Sequence, residues 1–359
     1  MTTLRSLSTE HPHLSADAAD TAALLAAVDG DRDAARWRAA VAASGVRRRS
    51  TAMPLTQLAR LGGVGERNAL YARLAPPLAE RVAHAALQRA GIAAGDVAAV
   101  LVASSTGHLV PTLDHHLSAR LGVPPTARRL ALNDLGCVGA VRAMATAADL
   151  RHGGPALVVA VELSSLWLPG GEPSPADLHA AMVFGDGAGA VVLDPAGDAP
   201  GPRILATSSI LWPGSLEARG AVQTGAGLRH VVSPRLPRTV VANLRRTVGD
   251  FLAGHDVALG DLGFVAVNPS ELELATAIVS HLGLDAAAGA GAAPRAIWEQ
   301  HGNTLAVGPL HLLRRIAEHQ PPRDGDLGLL LAVGPGLTCD LTLLRWQPLS
   351  VSHHEPAAA

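Results

Sequence analysis

The sequence predicts a layered α/β fold built from two similar halves, and three features carry that expectation. Apolar strand-like runs alternate with alanine-rich helical stretches along most of the chain, the pattern of strands covered by crossover helices. A polar loop after a strand, a turn opening onto a helix, and a glycine-rich turn at terminal strands occur in that order around Ser105, Cys137 and Gly185. They occur again around Asn268, Asn303 and Gly334. At 359 residues the chain has room for two such halves, 1–200 and 201–359, with a substantial core.

Taken in order, residues 1–20 are polar and aperiodic and predict a short strand with a loose lead-in. Residues 21–44 read as one alanine-rich helix carrying Arg36, Trp37 and Arg38, followed by the basic run Arg47-Arg48-Arg49. These arginines suit either a solvated helix face or a grip on phosphates, whose oxygens match the guanidinium fork. Leu78, Val82, Ala85, Ala86 and Arg89 stand at helical spacing and Gly91 closes that helix. An apolar strand over 97–103 runs into the polar loop Ser104-Ser105-Thr106-Gly107. A helix over 113–121 and a strand over 129–132 then lead to Leu135-Gly136-Cys137-Val138-Gly139-Ala140.

The helix after that turn, 138–150, stops at His152-Gly153-Gly154-Pro155, and 156–161 is a buried strand. Residues 162–176 form a Pro/Gly-rich loop with Trp167 and Leu168. The glycine-studded stretch 182–193 reads as a tight turn between paired strands, because a strand follows it rather than the helix of a dinucleotide fingerprint. After a linker at 195–202 the pattern resumes with a helix over 236–252, a strand over 263–267, the loop Asn268-Pro269-Ser270 and a helix over 271–281. A low-complexity loop at 286–293 comes before His301-Gly302-Asn303, placed at the start of a helix interrupted at Pro309. Strands over 327–333 and 338–344 flank Gly334-Pro335-Gly336.

Composition narrows the function. Apolar residues make up 48% and charged residues 17%, with a net charge of -2, which excludes partners held by bulk charge, such as nucleic acid or an anionic membrane surface. All 29 basic residues are arginine, as GC-rich coding produces. No basic-then-apolar leader and no run of ~18 apolar residues is present, so a cytoplasmic protein with no membrane span is expected. Two cysteines, Cys137 and Cys339, exclude a disulfide framework, and none of the 16 histidines has ligand spacing, so no metal is expected.

Cys137 is the candidate nucleophile. A cysteine at a helix N-terminus has its thiolate favoured by unpaired amides, and a thiol is suited to thioester exchange. Cys339, mid-strand among apolar neighbours, reads as core. If the halves are related by a pseudo-twofold axis, the helices after Cys137 and Asn303 pair at the centre, and Cys137, Asn268 and Asn303 meet at one site.

These residues resemble the type III polyketide synthases, the chalcone-synthase-like branch of the thiolase superfamily, which also holds the β-ketoacyl synthase III enzymes. The likeness runs from about Arg36 to Trp346. It rests on Gly136-Cys137, Phe184-Gly185-Asp186-Gly187-Ala188, His301-Gly302-Asn303 and Gly334-Pro335-Gly336-Leu337-Thr338. The resemblance implies a homodimer of five-layered α-β-α-β-α thiolase-fold subunits with no tightly bound cofactor. It implies acyl-CoA and malonyl-CoA as substrates, and a Cys-His-Asn triad that loads a starter, decarboxylates malonyl units and condenses them. Cys137 matches the first member and Asn303 the third.

The second member departs. Where the family reads His-Pro-Gly-Gly-Pro, the chain has Asn268-Pro269-Ser270-Glu271-Leu272. An asparagine amide can donate to a developing oxyanion, but it cannot accept the thiol proton or carry charge beside the thiolate. Among histidines that could act instead, His301 is nearest by sequence, with His108, His179 and His230 behind it. In the pocket the resemblance places Ser105, Trp167, Leu168, Leu305, Gly334 and Pro335, with Val110 at the position that crosses a dimer interface into the partner's cavity. For the coenzyme it leaves Arg36, with Arg38 and Arg47 nearby, while Ala39 and Ala43 replace two basic residues, so the donor is bound differently or arrives on an acyl carrier protein. Three readings follow: Claisen-type condensation, acyl transfer or cyclisation without decarboxylation, and a non-catalytic acyl-binding partner.

Overall fold

The computed structural model describes residues 2–29, 34–150, 153–167, 173–196, 199–225, 227–268, 271–287 and 289–349. Strand β1 (Thr2–Glu10) is longer than its polar sequence suggests, because neighbours pair on both of its edges and satisfy its backbone whatever its side chains. Strand β2 (Leu14–Asp17) pairs antiparallel with β3 (Arg48–Thr51) across helices α1 (Ala18–Asp29) and α2 (Ala34–Ser44), so the expected 21–44 helix is two. Helix α3 (Leu55–Leu58) leads to α4 (Val64–Ala90), which begins well before the expected 78. Pro76 and Pro77 lie inside it, and the buried stripe Tyr71, Ala75, Leu78, Val82 and Ala86 keeps it helical despite the lost N–H donors. Gly91 ends it in the left-handed conformation.

Strand β4 (Ala99–Ser104), α5 (Leu113–Leu121), β5 (Arg128–Asn133), α6 (Gly139–Asp149) and β6 (Ala156–Leu163) match the reading. The 162–176 region is not only loop: β6 extends into it, a 3-10 turn spans Ser164–Trp167, and α7 (Pro175–Val183) begins within it. Gly185 therefore joins helix α7 to strand β7 (Asp186–Asp194), which contains Gly187 and Gly189, and the stretch is not a turn between two strands. Residues 203–232, unassigned from sequence, form β8 (Arg203–Leu211) and the hairpin β9 (Arg219–Thr224) and β10 (Gly227–Val232).

The remainder is α8 (Leu236–Ala253), β11 (Leu262–Val267), α9 (Leu272–Leu282), α10 (Ala292–His301), α11 (Gly308–His319), β12 (Leu327–Val333) and β13 (Thr338–Arg345). Here His301 ends α10 instead of starting a helix, and Pro309 opens α11, where its missing N–H costs nothing, rather than interrupting it.

Among the described residues the strands form the order β11-β12-β13-β8-β1-β7-β6-β4-β5. Pairing is parallel for β5-β4-β6 and antiparallel for β6-β7-β1. On the other side β11-β12 is parallel and β12-β13-β8 antiparallel, so β11, β12, β13 and β8 repeat the arrangement of β4, β6, β7 and β1. Alternate residues of each strand enter different cores, as the strand period dictates. Val100 and Val102 of β4 face α4 and α5, while Leu101 and Ala103 face the central helices α6 and α11. On β12, Leu330 and Ala332 face the centre, and Leu329 and Leu331 face α8 and α9. The result is the five-layered α-β-α-β-α thiolase fold, with α6 and α11 packed between the two halves of the nine-stranded sheet.

Candidate active site

Cys137 sits in the 3-10 turn Gly136–Val138 that runs into α6. Gly136 holds φ +53, and a Cβ there would lie 2.9 Å from the Pro335 ring, so both the turn and the neighbouring strand end require glycine. The turn is fastened by Gly136 N–H, which donates to Ser105 Oγ at 2.8 Å, while Ser105 N–H donates to Glu162 at 2.9 Å. Glu162 is wholly buried, and burial raises its acid to about 8.

Asn303 and Asn268 both come to the cysteine. Cys137 Sγ is 3.8 Å from Asn303 Oδ1, which also accepts from Leu305 N–H at 2.9 Å. Asn303 is set by its own N–H on Val183 O at 2.7 Å and by the tight Gly302 turn at φ +64. Asn268 is buried behind the thiol, and its Nδ2 donates to the backbone carbonyl of Cys137 at 3.3 Å. Its amide is thus directed at the turn that carries the thiol.

Burial is the largest influence on the Cys137 thiol and raises it, ahead of Arg219, which favours the thiolate, and the Asn303 contact. Burial outweighs the Arg219 charge and the Asn303 contact, so the net direction is upward where the helix terminus predicts a lowering. A thiol held this way needs a proton acceptor.

The thiol opens onto a cavity of about 720 Å³. Ser105, Trp167, Leu305 and Pro335 line it as expected. Gly334 does not; it packs where a Cβ would meet Val138 at 2.9 Å. Val110 is also outside the wall and 98% exposed, and Leu168 lies outside the described residues. Arg36, Arg38 and Arg47 are exposed and away from this cavity: the Arg36 guanidinium lies 5.2 Å from the Trp37 ring, and Arg47 pairs with Glu299 at 3.5 Å.

The wall has charges the sequence reading ranked low or missed. His179 Nε2 lies 3.3 Å from both oxygens of Glu271, and Arg219 Nη2 is 3.8 Å from the same carboxylate. His230 reaches Asp177 through its backbone N–H at 2.8 Å. His301, nearest by sequence, is not in the wall; its ring stacks on His11 and His311. The pattern Ser174-Pro175-x-Asp177, a capping box with proline at the first helical turn, is the signal that could have revealed α7 and hence His179. Among the described residues no group of three His, Cys, Asp or Glu could hold a metal ion, and no helix is long and apolar enough to cross a membrane.

A buried cysteine at the head of the central helix of five α/β layers, facing a deep cavity, is the build of a thiolase-fold condensing protein. Residues 54–197 match the model of chalcone and stilbene synthases, N-terminal domain, and residues 252–346 that of 3-oxoacyl-[acyl-carrier-protein (ACP)] synthase III, C-terminal. The chain is 33% identical over 325 residues to a 1,3,6,8-tetrahydroxynaphthalene synthase of Streptomyces peucetius subsp. caesius, covering 88% of this chain and 84% of that one. It is 28% identical to a phloroglucinol synthase of Pseudomonas fluorescens, covering 85% and 88%. A crystal structure of 1,3,6,8-tetrahydroxynaphthalene synthase from Streptomyces coelicolor A3(2), described as a bacterial type III polyketide synthase, superposes with a TM-score of 0.89 at 26% identity over 96% of this chain and 99% of that one. The chain belongs to the type III polyketide synthase family.

Proposed function

We propose that the protein condenses acyl-CoA and malonyl-CoA in a Claisen-type reaction, carrying the acyl group as a thioester of Cys137. The observation that carries this reading is the buried Cys137 thiol against Asn303 at the head of a cavity walled by Trp167, Val183, Phe184 and Leu305. The apolar wall suits a growing acyl chain, and the buried sulfur suits an intermediate that must be kept from water. Asn303 orients the thiol. Exposed Arg36 and Arg38, with Arg47, are offered as contacts for the anionic end of the donor outside the cavity, whether coenzyme or carrier-protein phosphopantetheine. Homodimer assembly with Val110 on the joining face, and two halves divided near residue 200, belong to the same proposal.

Malonyl-CoA is the test. The native protein is expected to release carbon dioxide and to gain acyl mass on Cys137, and Cys137→Ala to do neither. Intact protein mass that stays unchanged with every acyl-CoA offered would remove the reading. One observation favours a second reading: Asn268 is spent on the Cys137 carbonyl and cannot take a proton. In that reading the cysteine exchanges acyl groups without decarboxylation, and acylation with no carbon dioxide release, restored by Asn268→His, selects it.

A further inference from the structure

We infer that His179, held by Glu271, moves the proton of the Cys137 cavity, with Arg219 as a fixed positive charge in the same wall. The inference rests on the reading of Cys137 as the acyl carrier. Three separate elements bring these groups into one wall: His179 from α7, Arg219 from the start of β9, and Glu271 at the N-cap of α9. Glu271 follows Asn268 by three residues, so the loop whose asparagine cannot take a proton also supplies the carboxylate that orients a histidine which can.

The geometry fixes the roles. With Nε2–H shared between the two Glu271 oxygens at 3.3 Å, Nδ1 of a neutral His179 keeps the lone pair that accepts a proton. The carboxylate raises the basicity of the ring, and its hydrogen bond is the largest cause of that rise. Arg219 at 3.8 Å from Glu271 opposes it, and the charge of His179 in turn presses His230 on β10 towards its neutral form. Of the charges acting on Cys137, Arg219 favours the thiolate most, while Glu162 and Glu271 oppose it. Two other histidine–carboxylate pairs meet the wall: His108 with Asp134, 3.9 Å apart with side chains 48% and 65% exposed, and His230 with Asp177 at 3.4 Å, whose burial lowers the ring's basicity where Glu271 raises that of His179.

The step balances without an external reagent. His179 takes the proton of Cys137 Sγ across the cavity that both residues line, and the thiolate attacks the donor's thioester carbonyl. The carbonyl carbon's bond to the donor sulfur breaks, and the departing thiolate receives the proton from His179. One thioester and one thiol become another thioester and thiol, and the imidazole ends neutral. His179 is the catalytic residue of this step; Glu271 is a positioning residue.

The test is the rate of Cys137 acylation by hexanoyl-coenzyme A, followed by rapid quench and intact mass across pH. The native rate is expected to fall below the pH at which His179 protonates. His179→Gln is expected to lose about 10²–10³-fold and the pH limb with it, with partial rescue by added imidazole. Glu271→Gln, a near-isosteric change at a helix end, is expected to retain acylation but move the limb to lower pH, since the ring loses the charge that raised it. A His179→Gln protein that keeps the native rate, or one that slows while its limb stays in place, overturns the inference and leaves Cys137 as carrier untouched. The same effects found on His108→Gln instead also overturn it. No acylation of the native protein overturns both readings together.

Discussion

Acidification probes a part-buried stack of three imidazoles. His11, His301 and His311 lie face to face, with centroids 4.1 Å apart for His11 and His301 and 4.6 Å for His11 and His311. Burial is the first cause that keeps each ring neutral, and the charge of Arg314 presses all three the same way; His301 is pushed down to about 3. Because the folded value lies below the ordinary 6.5, the unfolded chain binds the extra proton between the two. Stability from this site is therefore full above about pH 6.5 and is lost as pH falls towards about 3. Between about pH 7 and pH 5 a site shifted this far loses about 2 kcal/mol. Glu162 and Asp186, raised by burial to about 8 and about 6, act in the opposite sense, since the folded chain takes their protons first and gains stability as pH falls. The native curve mixes these contributions, so the comparison with His301→Asn isolates the ring. Urea unfolding at both pH values is expected to show the native protein losing about 2 kcal/mol more than the variant. Parallel losses, within about 0.5 kcal/mol, would refute the assignment of a part-buried neutral imidazole at His301.

Three further outcomes follow from the packing. Arg67 is buried and donates to Leu166 O at 2.5 Å, Gly62 O at 2.9 Å and Leu61 O at 3.1 Å; Arg67→Met strands these carbonyls, and a loss of about 3 kcal/mol or more is expected by urea denaturation. Gly302→Ala puts a Cβ 2.1 Å from Val183 O at a φ of +64, so it is expected both to lower the melting temperature and to abolish Cys137 acylation through displacement of Asn303. Trp167→Ala opens the cavity wall and removes the Nε1 donor to Thr106 O at 2.5 Å; longer acyl-CoA chains are expected to load on Cys137 faster relative to acetyl-CoA, read by competition and intact mass.

How far the sequence leads depends on which interactions fix each part. The Cys137 turn was legible because local rules set it: a positive-φ glycine, an alanine-rich helix after it, and the short strand β5 before it. The paired turns at Cys137 and Asn303 were legible for the same reason, whereas the turn at Gly185, from α7 into β7, does not repeat the strand-to-strand turn at Gly334. The region from 203 to 232 was not, because β8 owes its strand state to pairing with β13 and β1 rather than to any period, and the β9-β10 hairpin leaves Val222 and Val231 exposed. That hairpin carries Arg219 and His230, so the charged part of the cavity was hidden along with it. Sequence proximity misled at His301, where the chain reverses at Gly302 and sends the ring into a stack with His11 and His311, while Asn303 two residues on turns to the thiol. Asn268 marks the opposite limit: its identity announced that a proton acceptor was missing, but only the fold brings a histidine from α7 and the carboxylate at the N-cap of α9 together in the cavity. A lost residue is visible in one dimension, whereas its replacement has to be sought among side chains that meet in three.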